Sequence, residues 1–574
     1  MASLTLGIHS GYHDACAALY DGYKLVAAVA LERLTRRKID GGRIPVECID
    51  ECLTVAGATR KDVGAVVLGR AAFPSRYYTH LSGGRLVERE VRKLIGQEKH
   101  KTMEREMVRY ARTDSEAMFD APRFLADFGL PAGIPVRFFN HHLAHALPCL
   151  FHTDWNDALL YTADGGGDNV QYSHRVFRDG KLETLYGGDE AFTTPMRIDS
   201  LGLAYGYATQ ALGFKINRHE GKLTGLAALG QPVLADDLAR HFRVDDAGHI
   251  HSDFASYPDM RRFILAWAEG KKREDVAASV QKVLEDFILE SVRKLLARTG
   301  VRRLGLSGGV FANVRLNQRL AEELPVDEVF VYPAMSDQGL AAGGVLQYLL
   351  ERDGLQTWLA NRYRFETLYY GRDYGTGIDA TFAGDARFTK VSDTPVTAAA
   401  DLIHAGRIVA IYAKGMEYGP RALGARSIMA APVDATINQT LNDRLDRSEF
   451  MPFAPFVSAE NAETVFDLGP VKTYAARFMT ITCGVRPGWR ERIPATVHVD
   501  GTARPQVIER HQNPLYYDVL VAYAERSGIP VLINTSFNVH EEPIINTPAE
   551  CARALAEKRV DYVVTEQAVW GLAP

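Results

Sequence analysis

One succession of strands and turns occurs twice in the chain, and it narrows the fold more than any other feature. Leu4-Thr5-Leu6-Gly7-Ile8 reads as a buried strand, Gly11-Tyr12-His13-Asp14 as a tight polar loop, and Ala15 to Leu19 as the returning strand. Asp21-Gly22 is a hairpin signal, and Leu25 to Leu31 reads as a third strand. The succession returns as Ala158 to Thr162, the loop Asp164-Gly165-Gly166-Gly167-Asp168, Val170 to Phe177, the turn Asp179-Gly180 and Leu182 to Tyr186. Two such units predict two duplicated α/β halves facing a cleft. Their small or acidic loops would present backbone N–H groups to a phosphate chain.

Between the repeats lies Asn140-His141-His142-Leu143-Ala144-His145-Ala146, after the short apolar strand Val136-Arg137-Phe138-Phe139. Asn140 suits a helix N-cap, and on the helix that follows His141 and His145 share one face while His142 points elsewhere. Two neutral imidazoles at that spacing can meet one cation, although three histidines at a core edge would give the same pattern. Asp164 in the Gly-rich loop and Asp337 in Met335-Ser336-Asp337-Gln338-Gly339 would complete a two-histidine, two-carboxylate set of the kind that takes Fe(II), Mn(II) or Zn(II).

Other segments are more ambiguous. Glu32-Arg33-Leu34-Thr35-Arg36-Arg37-Lys38 reads as the solvated start of a helix, and residues of about 75–128 as a charged helical insertion, usable as an acceptor-side lid or an oligomer surface. His219-Glu220-Gly221-Lys222-Leu223-Thr224-Gly225 would let a backbone approach a ligand closely with Lys222 on its oxygens; a packed small-residue helix explains it equally well. Arg303 to Ser307 runs into Gly308-Gly309, with Asn313 and Asn317 beyond, which suits a ribose or adenine on glycine backbone. Nucleotide-binding folds of the actin, DnaK and sugar-kinase type are built from two such halves. Residues 353–392, rich in Tyr, Gly and Asp, read as an irregular linker to a second domain. There Arg421, Arg426-Ser427 and Arg504 are bracketed by glycines and hydroxyl residues, with Asn534 in Ile533-Asn534-Thr535-Ser536-Phe537-Asn538. Guanidinium forks in three such loops fit an anionic ligand.

A chain of 574 residues exceeds one hydrophobic core, so at least two domains are expected. With 24% charged residues and a formal net charge of −5, it offers no electrostatic reason to expect nucleic acid or a membrane surface as partner. Cys48 and Cys52, the one close cysteine pair, have helical spacing and read as buried thiols. No leader or membrane span is evident, and a cytoplasmic protein is expected.

Several of these stretches together resemble one family. The residues that carry the resemblance are His13-Asp14-Ala15, Glu32-Arg33 with Arg36 and Lys38, His141 to Ala146, Gly221-Lys222 with Gly225-Leu226-Ala227, Gly308-Gly309-Val310 with Asn313, and Ser336-Asp337-Gln338-Gly339. They continue through Gly419-Pro420-Arg421-Ala422-Leu423-Gly424 with Arg426-Ser427, Pro452-Phe453-Ala454-Pro455, Arg504 with Gln506, and Asn534 to Asn538. In these the chain resembles the NodU/CmcH family of O-carbamoyltransferases over nearly its whole length.

The resemblance implies an α/β protein: a duplicated actin-like ATPase (TsaD-like) N-terminal domain over 1–352, a linker over 353–392 and an α/β YrdC-like C-terminal domain over 393–574. It implies that carbamoyl phosphate and ATP give carbamoyl adenylate in the C-terminal domain, and that an acceptor hydroxyl attacks that intermediate in the N-terminal one. The family's metal, Fe(II) or another divalent ion, would map to His141, His145, Asp164 and Asp337, with Mg2+ a further candidate. ATP or the adenylate would lie near Gly308, Gly309, Asn313 and Gly225, with Lys222 toward phosphates, while Arg421, Arg426, Ser427, Arg504 and Asn534 would hold carbamoyl phosphate. His13 and Asp14 are candidates to handle the acceptor's proton.

The sequence departs from the family pattern at Leu445, Ser448 and Met451, where Lys, Glu and Arg are usual, and at Glu541, where glycine is commoner. The acceptor would be a small-molecule hydroxyl of a secondary metabolite or glycoconjugate, and the insertion could carry a homodimer contact. Threonylcarbamoyl transfer to tRNA is an alternative, which the acidic charge balance disfavours. A nucleotide-gated DnaK-like binding module is another, and it would require a peptide-binding domain.

Overall fold

The first repeat folds as a meander because each of its apolar runs is the length of one strand and ends on a turn. A computed structural model describes residues 4–80, 100–447 and 451–574 of this mixed α/β chain. Packing divides it into two compact units that do not follow chain order. One holds 1–203, 294–310 and 334–365; the other holds 204–293, 311–333 and 366–574.

In the first unit, β1 (Leu4–His9), β2 (Cys16–Asp21) and β3 (Lys24–Ala30) pair antiparallel, and β4 (Val63–Gly69) and β5 (Val136–Phe139) add in parallel. The order is β3-β2-β1-β4-β5. The second repeat gives β6 (Ala158–Gly167), β7 (Val170–Arg178) and β8 (Lys181–Tyr186), again antiparallel, with β9 (Arg303–Ser307) parallel to β6. These four strands therefore repeat the arrangement of β3-β2-β1-β4. The strand β6 runs further than expected, through Asp164 to Gly167. The tight turn falls on Asp168 and Asn169, whose φ values of 50° and 65° suit a two-residue hairpin.

Two helices pack between these strands and on each other: α1 (His141–Phe151) against β6 and β9, and α2 (Leu340–Asp353) against β1, β2 and β4. They meet at Gly343, where an added Cβ would lie 1.8 Å from the carbonyl oxygen of Ala144, so only glycine permits this approach. Leu6, Ile8, Leu19, Val66 and Leu68 are fully buried in the first sheet, each worth about 1.5–3 kcal/mol of apolar burial. Cys48 and Cys52 are buried as expected. Glu32 and Arg33, read as a solvated helix start, are buried too, with Glu32 Oε2 accepting the Ile39 N–H at 2.8 Å. Of the insertion expected over 75–128, residues 81–99 lie outside the described residues. The rest includes the helices Met103–Tyr110 and Ala121–Asp127.

The second unit is built on an eight-stranded sheet. Its order is Phe388–Ser392, Val569–Leu572, Tyr562–Val564, Val409–Tyr412, Arg426–Ala430, Val531–Ser536, Ala454–Ser458 and Gln506–Ile508. Residues 353–392 are not irregular: helices Leu355–Ala360 and Gly377–Ala383 and the edge strand Phe388–Ser392 occupy much of that span. Buried Trp358, Ile378, Phe382 and Phe388 anchor them, apolar positions that the Tyr, Gly and Asp around them obscured. Among the described residues no helix is long and apolar enough to cross a membrane.

Candidate metal centre and anion-binding loops

Helix α1 begins where the sequence places its cap: the Asn140 side chain accepts the Leu143 N–H at 2.8 Å. The His141 N–H, another donor of the first turn, goes to Asp168 Oδ2 at 2.8 Å. That carboxylate also accepts from buried Arg70 Nη1 at 2.9 Å, and Arg70 bonds Asp189 through the same Nη1 and through Nη2. Asp168 thus fixes the helix start.

From this fixed end, His141 and His145 project toward Asp164 at the end of β6 and Asp337 in the turn before α2. His145 Nε2 lies 3.2 Å from Asp164 Oδ2 and 3.6 Å from Asp337 Oδ1; His141 Nε2 lies 3.8 and 3.7 Å from the same atoms. One ligand atom from each residue falls within 4.8 Å of all the others. Four donors about 2.1 Å from one ion in a tetrahedron stand about 3.4 Å apart, which is close to these separations. Both Nε2 atoms and Asp164 Oδ2 are buried without a hydrogen-bond partner among the described residues. Such a set fits a divalent cation, because a buried polar atom otherwise finds a partner. The Nδ1 atom of His145 meets Ser307 Oγ at 3.3 Å, the kind of outer contact that fixes a ligating imidazole. His142 turns away to Thr162 Oγ1 at 2.8 Å and the Val170 carbonyl at 3.2 Å, and burial keeps it neutral.

Without an ion the carboxylates govern titration. Burial opposes a charged His141, but Asp337 and Asp164 outweigh it and push its pKa up to about 9. Burial likewise opposes charge on Asp164 and Asp337, and the neighbouring imidazoles more than offset it, so both stay well below the usual carboxylate range. His13 and Asp14 lie at this centre's edge: His13 Nδ1 is 3.5 Å from Asp14 Oδ2 and 4.0 Å from Asp337 Oδ2. Burial works against His13 as a cation, yet Asp14 and Asp337 raise its pKa to about 10. His9 was not anticipated. Its Nε2 stands 3.5 Å from Asp337 Oδ2, and neither ring nitrogen has a hydrogen-bond partner among the described residues. It ends the buried strand β1, and nothing local in the sequence separates it from a core residue. Gly308 and Gly309 follow β9, with an ideal Cβ on Gly309 only 3.1 Å from Asp164 Oδ1.

In the second unit, Gly225 lines a cavity of about 470 Å³ together with Gln281, Glu285, Val314, Arg319 and His498. Asn313 caps the helix Val314–Glu323 and exchanges hydrogen bonds with Gln281 at 2.9 and 3.1 Å, while Lys222 is buried on the helix Glu220–Ala227. The arginine loops behave differently from one another. Glu417 Oε1 accepts the N–H groups of Leu423, Ala425 and Arg426 at 2.8–2.9 Å, shaping the loop that carries Arg421. No hydrogen bond or ion pair among the described residues involves Arg421, and burial lowers its pKa to about 10. Arg426 is fully buried, stacked 3.7 Å over the Tyr412 ring, and donates to the carbonyls of Ala413, Lys414 and Ala425. Ser427 Oγ accepts the Gly424 N–H at 2.9 Å, and Asn534 Nδ2 donates to the Ala422 carbonyl and Gln506 Oε1. Arg504 is partly buried two residues before Gln506. Leu445 and Met451 leave two expected charges absent, and Ser448 lies outside the described residues. Arg447 donates to Thr535 Oγ1, Ser536 O and Asn538 O at 2.6–2.9 Å, so it brings a cation to that loop; Arg444 pairs instead with Asp561 at 2.7 Å.

Comparison with known proteins gives this geometry a family. Residues 4–346 match the family model of the carbamoyltransferase N-terminus, and residues 400–571 that of the carbamoyltransferase C-terminus. Nodulation protein NolNO of Sinorhizobium fredii is 31% identical over 567 residues, covering 96% of this chain and 78% of that protein. An uncharacterized protein of Methanocaldococcus jannaschii is 31% identical over 451 residues, 75% of this chain and 73% of its own. Among solved structures, full-length HypF in its phosphate- and nucleotide-bound form is 13% identical with a TM-score of 0.32, covering 61% of this chain and 56% of that one, a likeness too loose to decide anything about the fold. Matched by both family models over most of its length, the chain belongs to the carbamoyltransferase family and is a carbamoyltransferase.

Proposed function

We propose that the protein is an ATP-dependent O-carbamoyltransferase, with a duplicated actin-like (TsaD-like) N-terminal domain and a YrdC-like C-terminal domain over about 393–574. Carbamoyl phosphate is opened on the C-terminal side to carbamate and inorganic phosphate, the carbamate oxygen attacks the α-phosphate of ATP to give carbamoyl adenylate and pyrophosphate, and a hydroxyl of a small-molecule acceptor then takes the carbamoyl group and releases AMP. The observation that carries this reading is the convergence of His141, His145, Asp164 and Asp337 on one point, with three ligand atoms that lack hydrogen-bond partners among the described residues. Fe(II) or another divalent ion held there would stabilise negative charge on nucleotide phosphates.

The chain's own residues supply the rest. An alcohol is a poor nucleophile near neutral pH, so its proton needs an acceptor. His13 and Asp14 lie beside the centre and are our candidates, with His13 needing to be neutral at the moment of transfer. Gly308, Gly309, Gly225 and Asn313 would hold the nucleotide, and Lys222 would face its phosphates. Arg421, half-buried, partly desolvated and without a hydrogen bond or ion pair among the described residues, has the most to gain from an anion, because its guanidinium can bind a phosphate bidentately. Arg426, Ser427, Arg504 and Asn534 complete the proposed donor loops. A small-molecule acceptor, no nucleic acid and a cytoplasmic setting remain the expectations.

Arg421→Ala tests the division of labour. It should abolish carbamoyl adenylate formation from carbamoyl phosphate and still transfer from supplied carbamoyl adenylate. A folded variant that fails in both reactions would show that the two steps do not use separate sites.

A further inference from the structure

A second set of charged side chains converges in the second unit. Glu541 follows the Asn534–Asn538 segment, and its Oε2 accepts from Lys215 Nζ at 3.0 Å and Arg218 Nη1 at 3.1 Å. Its Oε1 lies 2.7 Å from His219 Nε2 and 3.6 Å from His540 Nε2. The carboxylate side chain is still 28% exposed, and its backbone has φ 62°. A non-glycine residue in that left-handed region is strained, so backbone preference does not seat it. Charge does. Burial resists ionisation, but His219 and Lys215 override it and hold the carboxyl at about 2.

The ligand atoms of His219, His540 and Glu541 are close enough for a metal. Proton placement argues against one. The Lys215 N–H donates to His219 Nδ1 at 3.2 Å, which puts the lone pair on Nδ1 and the proton on Nε2, facing Glu541. A metallated Nε2 would need the reverse, and Lys215 and Arg218 would repel the ion.

Four basic side chains around an exposed, strained carboxylate describe an anion site with an internal occupant. With Glu541 withdrawn, two full charges and two imidazole donors remain, which match a phosphate dianion better than a carboxylate. The cluster also borders the proposed donor loops: the His540 N–H donates to the Leu445 carbonyl at 2.8 Å, and Arg447 grips Thr535, Ser536 and Asn538. We propose that Lys215, Arg218, His219 and His540 form a phosphate-binding site, and that Glu541 fills it at rest as a displaceable anion that a phosphate-bearing substrate expels. This rests on the reading of that unit as the donor side.

The test is equilibrium binding, by calorimetry on the metal-free full chain, of inorganic pyrophosphate, carbamoyl phosphate and inorganic phosphate. Glu541→Gln should tighten at least one of them tenfold or more, and adding Lys215→Ala and Arg218→Ala should abolish the gain. Glu541→Gly, which suits the backbone, should behave alike and guards against a misfolded glutamine variant. A gain confined to pyrophosphate assigns the site to a nucleotide's tail; a gain for the two monophosphates assigns it to the carbamoyl donor. Unchanged or weaker binding of all three in a folded variant overturns the proposal, as does stoichiometric zinc binding that Glu541→Gln removes. Binding is read without turnover, so a failure to form carbamoyl adenylate would leave this result standing by itself.

Discussion

Replacing Gly167 by alanine puts the metal centre under a graded load. An ideal Cβ there lies 2.3 Å from His141 Cγ, 2.4 Å from Cδ2 and 2.5 Å from Nδ1. Non-bonded carbons rest about 3.5–4.0 Å apart, so the imidazole must retreat by about 1 Å or more. A metal site tolerates displacements of only about 0.2 Å, so His141 would cease to be a ligand. Loss of an outer-shell partner alone weakens metal affinity about 10–100-fold, and loss of a direct ligand should weaken it by at least about 100-fold, or about 2.8 kcal/mol. Overpacking should add about 1–3 kcal/mol of destabilisation, which leaves a folded protein. The assay is anaerobic reconstitution with Fe(II), iron content by elemental analysis, and Kd by chelator competition, with circular dichroism to certify the fold. Gly165→Ala is the control: its Cβ would meet only the Leu203 side chain, with Cδ2 at an ordinary 3.6 Å and Cγ at 4.0 Å. Gly167→Ala with a full complement of iron and a Kd within threefold of the parent would refute the assignment of His141.

Further outcomes follow from the same centre. His145→Ala should remove the ion and the transfer step while the helix persists, because Asn140 and Asp168 still cap it; unchanged iron content would sink the ligand set. In the metal-free protein, His141 is raised to about 9 and His13 to about 10, so the stability they contribute is complete below pH 6.5 and is lost as pH climbs through those values. For His141 alone the loss is about 3 kcal/mol, read as a fall in denaturant midpoint between pH 6 and pH 9.5. A flat or rising midpoint over that range would contradict it. Iron affinity should run the other way and increase with pH, since the ion takes the neutral imidazole.

How much of this was legible depended on whether the signal was local. The Asn140 cap, the His141 and His145 spacing and both strand repeats are short-range features, and the elements formed where those patterns lay. His9 was invisible, because a histidine closing an apolar strand looks the same whether it faces a core or Asp337. The role of Asp168 was hidden similarly: its carboxylate meets Arg70 and the start of α1, partners far away in sequence. The burial of Glu32 and Arg33 depended on tertiary packing that overrides their polarity. The arginine loops were recognisable as a group but not individually, since only the structure separates Arg426, held through Nη1 by three carbonyls and stacked on the Tyr412 ring, from Arg421, which makes no hydrogen bond or ion pair among the described residues.

The most direct test omits the acceptor altogether. ATP, carbamoyl phosphate, Fe(II) and the protein should yield carbamoyl adenylate, or AMP from its breakdown, detected by mass spectrometry and strictly dependent on carbamoyl phosphate. Products limited to ADP and phosphate would contradict the adenylate route and leave a carbamoyltransferase that activates its donor in another way.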